Sequence, residues 1–283
     1  MATQTVVAAV CAAAEENAAR PATVSGQRNA AVRLCDDRLA EFYVRRAAAA
    51  ARRLPPELGA KAFLLGLGAG CEDAPRLRDD PLLGPLLRRV ESDQQRTRRR
   101  ESFGQPTVRG RADLAQHFFV SAALTALAGA VAADAAGLAK ETDDAQRGSG
   151  FSFADLAADR AGVRFAEHVL AGKLDLDRLA RSFAVADFVP EINDLPEGLK
   201  WDDFTARYGT PGDERFRRQM AEIARRLEAL PGYKDERRGG TQDGRMQNEK
   251  CKMQNENCRL QIGARSPCCH LPSEICHLKS EIP

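Results

Sequence analysis

Alanine dominates runs such as residues 47–51 and 130–136, and no other feature constrains the backbone as much. Alanine has the highest intrinsic helix propensity, and its single methyl group lets helices approach one another closely. Aromatic residues make up only 6% of the chain, which weighs further against sheet. The sequence therefore reads as all-α. The expected architecture is an irregular helical bundle with a central small-residue helical hairpin plus a third helix, ending in a disordered C-terminal tail.

Charge is nearly balanced, with 42 Lys and Arg against 40 Asp and Glu. A balanced field gives no general pull toward nucleic acid or anionic lipid, so no nucleic-acid partner is expected and any basic site must be local. The densest basic stretch, Arg96, Arg98, Arg99 and Arg100 within residues 91–101, has no interleaved aromatics. It reads as a solvated helix end or polar connector.

Three segments follow from the composition. Residues 1–26 read as a flexible lead or a signal remnant: residues 6–14 are apolar and end in Ala12-Ala13-Ala14, but residues 1–5 carry no Lys or Arg, which a signal segment would have. Residues 27–233 read as a single helical domain. In it, Val32, Leu39, Phe42 and Val44 predict an amphipathic helix over residues 29–53, stopped by Pro55-Pro56, and a second helix spans residues 60–68. Residues 187–208, broken by Pro190, Pro196 and Gly198, read as an ordered loop pinned by Phe188, Leu195, Trp201 and Phe204. A last helix is expected over residues 213–230, with Phe216, Met220, Ile223 and Leu227 on one face.

Residues 234–283 form the tail. They hold two different seven-residue repeats, one beginning at Met246 and Met253, the other at Cys269 and Cys276. Two copies with few large apolar residues are too little for a coiled coil, so disorder is expected. Cys251, Cys258, Cys268, Cys269, His270, Cys276 and His277 lack the paired two-to-four-residue spacing of a zinc site. Deleting everything after Tyr233 should leave the melting transition of the remaining domain unchanged; its collapse would show that the tail belongs to the fold.

The central region, residues 109–172, carries the candidate chemistry. A first helix over residues 111–128 and a second over residues 131–144 are joined at Gly129, and Ser152 with Asp155 three residues on marks the capped start of a third. Residues 118–133 are the nearest approach to a membrane span, yet they hold Ser121 and Thr125 and are rich in Ala and Gly. A buried helical hairpin fits them better than the roughly 20 apolar residues of a span.

Asp113 and His117 share a helix face at four-residue spacing, as do Asp155 and Asp159. His117 lies twelve residues before Gly129 and Glu141 twelve after, so both sit about 18 Å from the turn at 1.5 Å per residue. Asp113, His117, Lys140, Glu141, Asp144, Asp155 and Asp159 are thus expected to converge. One imidazole among carboxylates can hold a divalent metal, with His117, Glu141 and Asp159 as candidate ligands, or supply an acid and a base for hydrolysis. The plainer reading is a satisfied polar network in which Asp113 orients His117, Lys140 pairs with Asp144 and Asp155 completes the helix cap. His168, near the end of the third helix, reads as a partner of the helix dipole.

Three blocks in this region, Asp113-Leu-Ala-Gln-His117-Phe, Gly137-Leu-Ala-Lys140-Glu141 with Asp144, and Gly148-Ser-Gly-Phe-Ser-Phe-Ala-Asp155 with Asp159 and Gly162, resemble the small YfiM-like predicted periplasmic lipoproteins, a family of unknown function. The resemblance implies a periplasmic or envelope-associated location, with an envelope protein or the membrane surface as partner. Without an upstream signal the location would be cytoplasmic. The chain departs from that family in lacking a clear lipoprotein signal and in its regions before Arg109 and after Gly172. Two functions fit these residues: a non-enzymatic envelope-associated structural or interaction protein without a cofactor, and a metal-dependent hydrolase working from the cluster.

Overall fold

The computed structural model describes residues 1–22, 32–71 and 83–234. Their elements are α1 (Ala2–Ala18), α2 (Asp36–Ala51), α3 (Pro56–Cys71), α4 (Leu83–Val90), α5 (Asp93–Ser102), α6 (Ala112–Ala128), α7 (Ala130–Arg147), α8 (Phe153–Leu170), α9 (Leu176–Ser182), α10 (Val185–Phe188), α11 (Trp201–Tyr208) and α12 (Glu214–Ala229), followed by a single 3-10 turn at Pro231–Tyr233. Among the described residues there is no strand, only isolated bridges. The fold is all-α. Residues 1–234 form one unit; the tail, its repeats and its Cys and His residues lie outside the described residues.

Helix starts follow local capping chemistry. Ser152 accepts from the amide of Asp155 to open α8, Asp213 accepts from Arg215 to open α12, and Ser92 with Gln95 forms a reciprocal capping box on α5. Gly129 ends α6 and starts α7 at φ 89°, ψ 164°, a conformation open to glycine because it has no β-carbon.

Close approach by small residues sets how the helices pack. Gly162 of α8 lies against the Phe118 carbonyl of α6, Gly68 of α3 against Ala123 of α6, and Gly66 and Gly70 of α3 against Val6 and Val10 of α1. The larger side chains fill what remains. Phe63, Phe118, Phe165, Phe183 and Phe188 interlock through edge and stacked contacts in the middle of the core, while Phe151, Phe153, Phe204 and Phe216 pack together where α8 begins. Each fully buried ring stabilises the fold by about 1.5–3 kcal/mol relative to exposure.

Several expectations change. Residues 2–18, expected as a flexible lead or signal remnant, form a helix whose Val6, Val10, Ala13 and Ala14 lie in the shared core. The helix expected from residue 29 begins at Asp36, and residues 23–31 lie outside the description. The polar connector at residues 91–101 is mostly helix α5, and its Arg99 is only 1% exposed, held by Glu91 at 2.7 Å. Most of the stretch is exposed, as a solvated helix end would be; Arg99 departs from that because it finds a buried carboxylate partner. The stretch at residues 187–208 is pinned by Phe188, Leu195 and Phe204 as expected but also contains α11. No helix of the described residues is long and apolar enough to cross a membrane; residues 118–133 are divided between α6 and α7 by Gly129.

Candidate functional site: a histidine among carboxylates at three helix ends

The α6–α7 hairpin reverses at Gly129, and α8 runs alongside α6 in the same direction, with His117 opposite Asp155 and Asp159 and Phe118 opposite Gly162. The starts of α6 and α8 and the end of α7 therefore meet. A backbone crossing fixes a fourth segment there. Phe151 and Leu199 exchange amide hydrogen bonds of 2.8 and 3.1 Å, and Gly150, at φ 106°, lies so close to Gly198 that a β-carbon would have no room. That crossing carries Glu197 to the cluster.

His117 is held from both sides. Its Nδ1 lies 3.0 Å from Oδ1 of Asp159, and its Nε2 3.3 Å from Oδ2 of Asp155. The Ser121 hydroxyl donates to the same Asp159 oxygen at 2.6 Å, and the Ser152 hydroxyl donates to Asp155 at 2.9 Å. Glu141 is fully buried, accepting from the Ser152 amide at 3.0 Å and from Lys140 Nζ at 2.8 Å. Lys140 also reaches Asp144 at 2.8 Å and lies 3.9 Å from Asp155.

Six of the seven residues expected to converge, from His117 to Asp159, are thus linked in one network. Asp113 is the exception in role. It faces outward and pairs with Arg111 at 2.6 Å, and Arg111 in turn holds Glu197 at 2.6 Å and approaches Asp155 at 3.5 Å. Asp113 therefore does not orient His117; Asp159 does, because its carboxylate lies 3.0 Å from Nδ1 while that of Asp113 is taken by Arg111. The candidate metal set shifts as well. The donor atoms within 4.8 Å of one another belong to His117, Glu141 and Asp155, while Asp159 occupies the opposite ring nitrogen. His168 stands in the last turn of α8 as expected and packs edge-on against Tyr233 at 4.9 Å.

Sequence reasoning missed Arg111, Ser121 and Glu197 as members of the network, and read Ser152 only as the cap partner of Asp155, without its bond to Glu141. Ser121 could have been found, being four residues after His117 on the same face; Glu197 had no local signal. Asp37 was missed too. It accepts from the amides of Arg109 and Gly110 at 3.1 and 2.9 Å and so fixes the turn that aims α6.

Burial alone would pull the His117 pKa down, but the hydrogen bonds and charges of Asp155 and Asp159 outweigh it and raise it to about 10. Burial, with the neighbouring Asp155 charge, raises Glu141 above the usual carboxylate range. Asp155 is lowered, since His117 and Lys140 overcome its burial, and Lys140 is raised, since Asp144 and Glu141 overcome its own. Asp113 is lowered by the Arg111 guanidinium. Both ring nitrogens thus face carboxylates, and the raised pKa favours the protonated ring.

Fold and site together define an all-α protein with a buried histidine–carboxylate cluster at the meeting point of three helix ends. No protein-family model, no curated protein and no solved structure matches the chain.

Proposed function

We propose that this chain is a non-enzymatic helical protein, structural or interaction-mediating, in which the His117 cluster locks the ends of α6, α7 and α8 together. The observation that supports this most directly is the double engagement of the His117 ring by Asp155 and Asp159. Paired charges of this kind fix how helices cross, and the loss of one partner leaves the other buried and uncompensated. An envelope location is part of the proposal and rests on the three sequence blocks that resemble the YfiM-like lipoproteins.

The lock has a pH signature. A histidine raised from 6.5 to about 10 contributes stability that is fully present below pH 6.5 and is lost as pH rises through 10. Urea unfolding of the wild-type protein should therefore show stability falling across that window. His117→Gln should be less stable at pH 6 and should lose most of the slope. Equal slopes in both proteins would overturn the lock, and metal-dependent turnover of phosphoester, ester or peptide substrates that vanishes in His117→Gln would overturn the non-enzymatic reading.

A further inference from the structure

We infer that the His117 cluster is also a binding site for one divalent transition cation of the manganese or zinc class, held by Nε2 of His117 and by carboxylate oxygens of Glu141 and Asp155, with Lys140 as the group the cation displaces. The inference rests on the lock described above and adds to it a ligand that controls how tightly it closes.

The donor set is one imidazole nitrogen and two carboxylates, which suits cations of this class. Its three donor atoms lie within 4.8 Å of one another. Donors bound at about 2.1 Å stand roughly 3 Å apart, and Nε2 and Asp155 Oδ2 are already 3.3 Å apart. Glu141 is the donor that must close in. The outer support is in place: Asp159 holds Nδ1, so the ring presents Nε2 to the donor set, and Ser121 holds Asp159 in turn. A carboxylate behind a ligating imidazole fixes its orientation and strengthens it as a donor.

Charge permits the exchange: a divalent ion that takes the place of the Lys140 ammonium and the Nε2 proton brings in as much positive charge as leaves. Six carboxylates, Asp113, Glu141, Asp144, Asp155, Asp159 and Glu197, meet three cations, Arg111, His117 and Lys140. Oδ2 of Asp159 is buried without a hydrogen-bond partner against Gly137 of α7, on the Nδ1 side of the ring and apart from the three donors. Lys140 stands where a cation would neutralise the carboxylates, 2.8 Å from Glu141 and Asp144 and 3.9 Å from Asp155. Its side chain is half exposed and can swing into solvent. On binding, the Nε2 proton passes to solvent and the ammonium moves off Glu141; no covalent bond to carbon or oxygen changes.

The test uses the full chain and Mn2+, an oxygen-preferring ion that the thiols of the tail compete for poorly. Calorimetric titration should give one site per chain and a rise in melting temperature. Glu141→Gln and Asp155→Asn should abolish that site, Asp159→Asn should weaken it about 10- to 100-fold, and Asp177→Asn, whose carboxylate pairs with Arg52 outside the cluster, should leave it unchanged. Lys140→Met separates the proposal from a purely structural role, because removal of the competing ammonium should tighten Mn2+ several-fold. Absence of saturable binding to the wild type, binding insensitive to Glu141→Gln, or weaker binding in Lys140→Met would each overturn the site. A pH slope that persists without Mn2+ binding would leave the lock standing and refute the cation alone; Mn2+ binding with His117-dependent turnover would keep the cation and refute the non-enzymatic reading.

Discussion

Glu91→Ala should lower the unfolding free energy by about 3–5 kcal/mol, the usual consequence of removing one member of a buried ion pair. Glu91 and Arg99 are 3% and 1% exposed, and the guanidinium binds the carboxylate through two nitrogens at 2.7 and 2.9 Å. The alanine would leave the arginine charge with less compensation in a site closed by the Phe103 ring, 5.3 Å from the guanidinium carbon. Urea unfolding at neutral pH measures the loss, and a change under about 1 kcal/mol, the scale of a surface pair, would show that water reaches the site. Adding Arg99→Met to the same chain should recover much of the loss, since an apolar side chain has no charge to desolvate.

Gly162→Ala should be nearly as damaging, about 3 kcal/mol, at the upper end of what overpacking costs. The new methyl would fall on the carbonyl oxygen of Phe118 and beside the amide of Ala122. Backbone atoms within a helix have no alternative rotamer, so α8 would have to move away from α6, loosening Phe165 against Phe118 and His117 against Asp159 together. Thermal unfolding checks the size of the effect. At the other extreme, Gly129→Ala meets no neighbouring atom within 4 Å and strains only the backbone at its positive φ, so it should cost less.

Much of this was legible in the sequence because its causes are local. Alanine content gave the helices, Ser152 with Asp155 gave the start of α8, and the equal spacing of His117 and Glu141 about Gly129 placed them at one end of a hairpin. Which carboxylate meets which nitrogen was not legible. Asp113 and Asp159 both lie within reach on paper, and only the parallel packing of α8 on α6, set by Gly162, decides for Asp159. The same holds for Arg99, whose neighbours in sequence are all polar while its burial comes from Glu91 and from the packing of α1. The apolar run at residues 6–14 could serve a signal segment or a core helix equally well; contact with Gly66 and Gly70 of α3 makes it the latter in this structure. Glu197 reaches the site through a backbone crossing that no periodicity encodes.

The succession of α6, α7 and α8 has a consequence for how the chain comes into being. One residue separates the first two helices and five separate the second from the third, so the partners of the cluster, other than Glu197, leave the ribosome in one short interval and can close on one another while the rest is still being made. Local contacts of this kind form fast. The earlier helices face the opposite situation. α3 emerges with Gly66 and Gly70 already able to meet α1, but Gly68 has no partner until Phe119 and Ala123 are synthesised some fifty residues later. During that interval the nascent chain carries Gly68 uncovered, and α6 of the hairpin is the part that covers it.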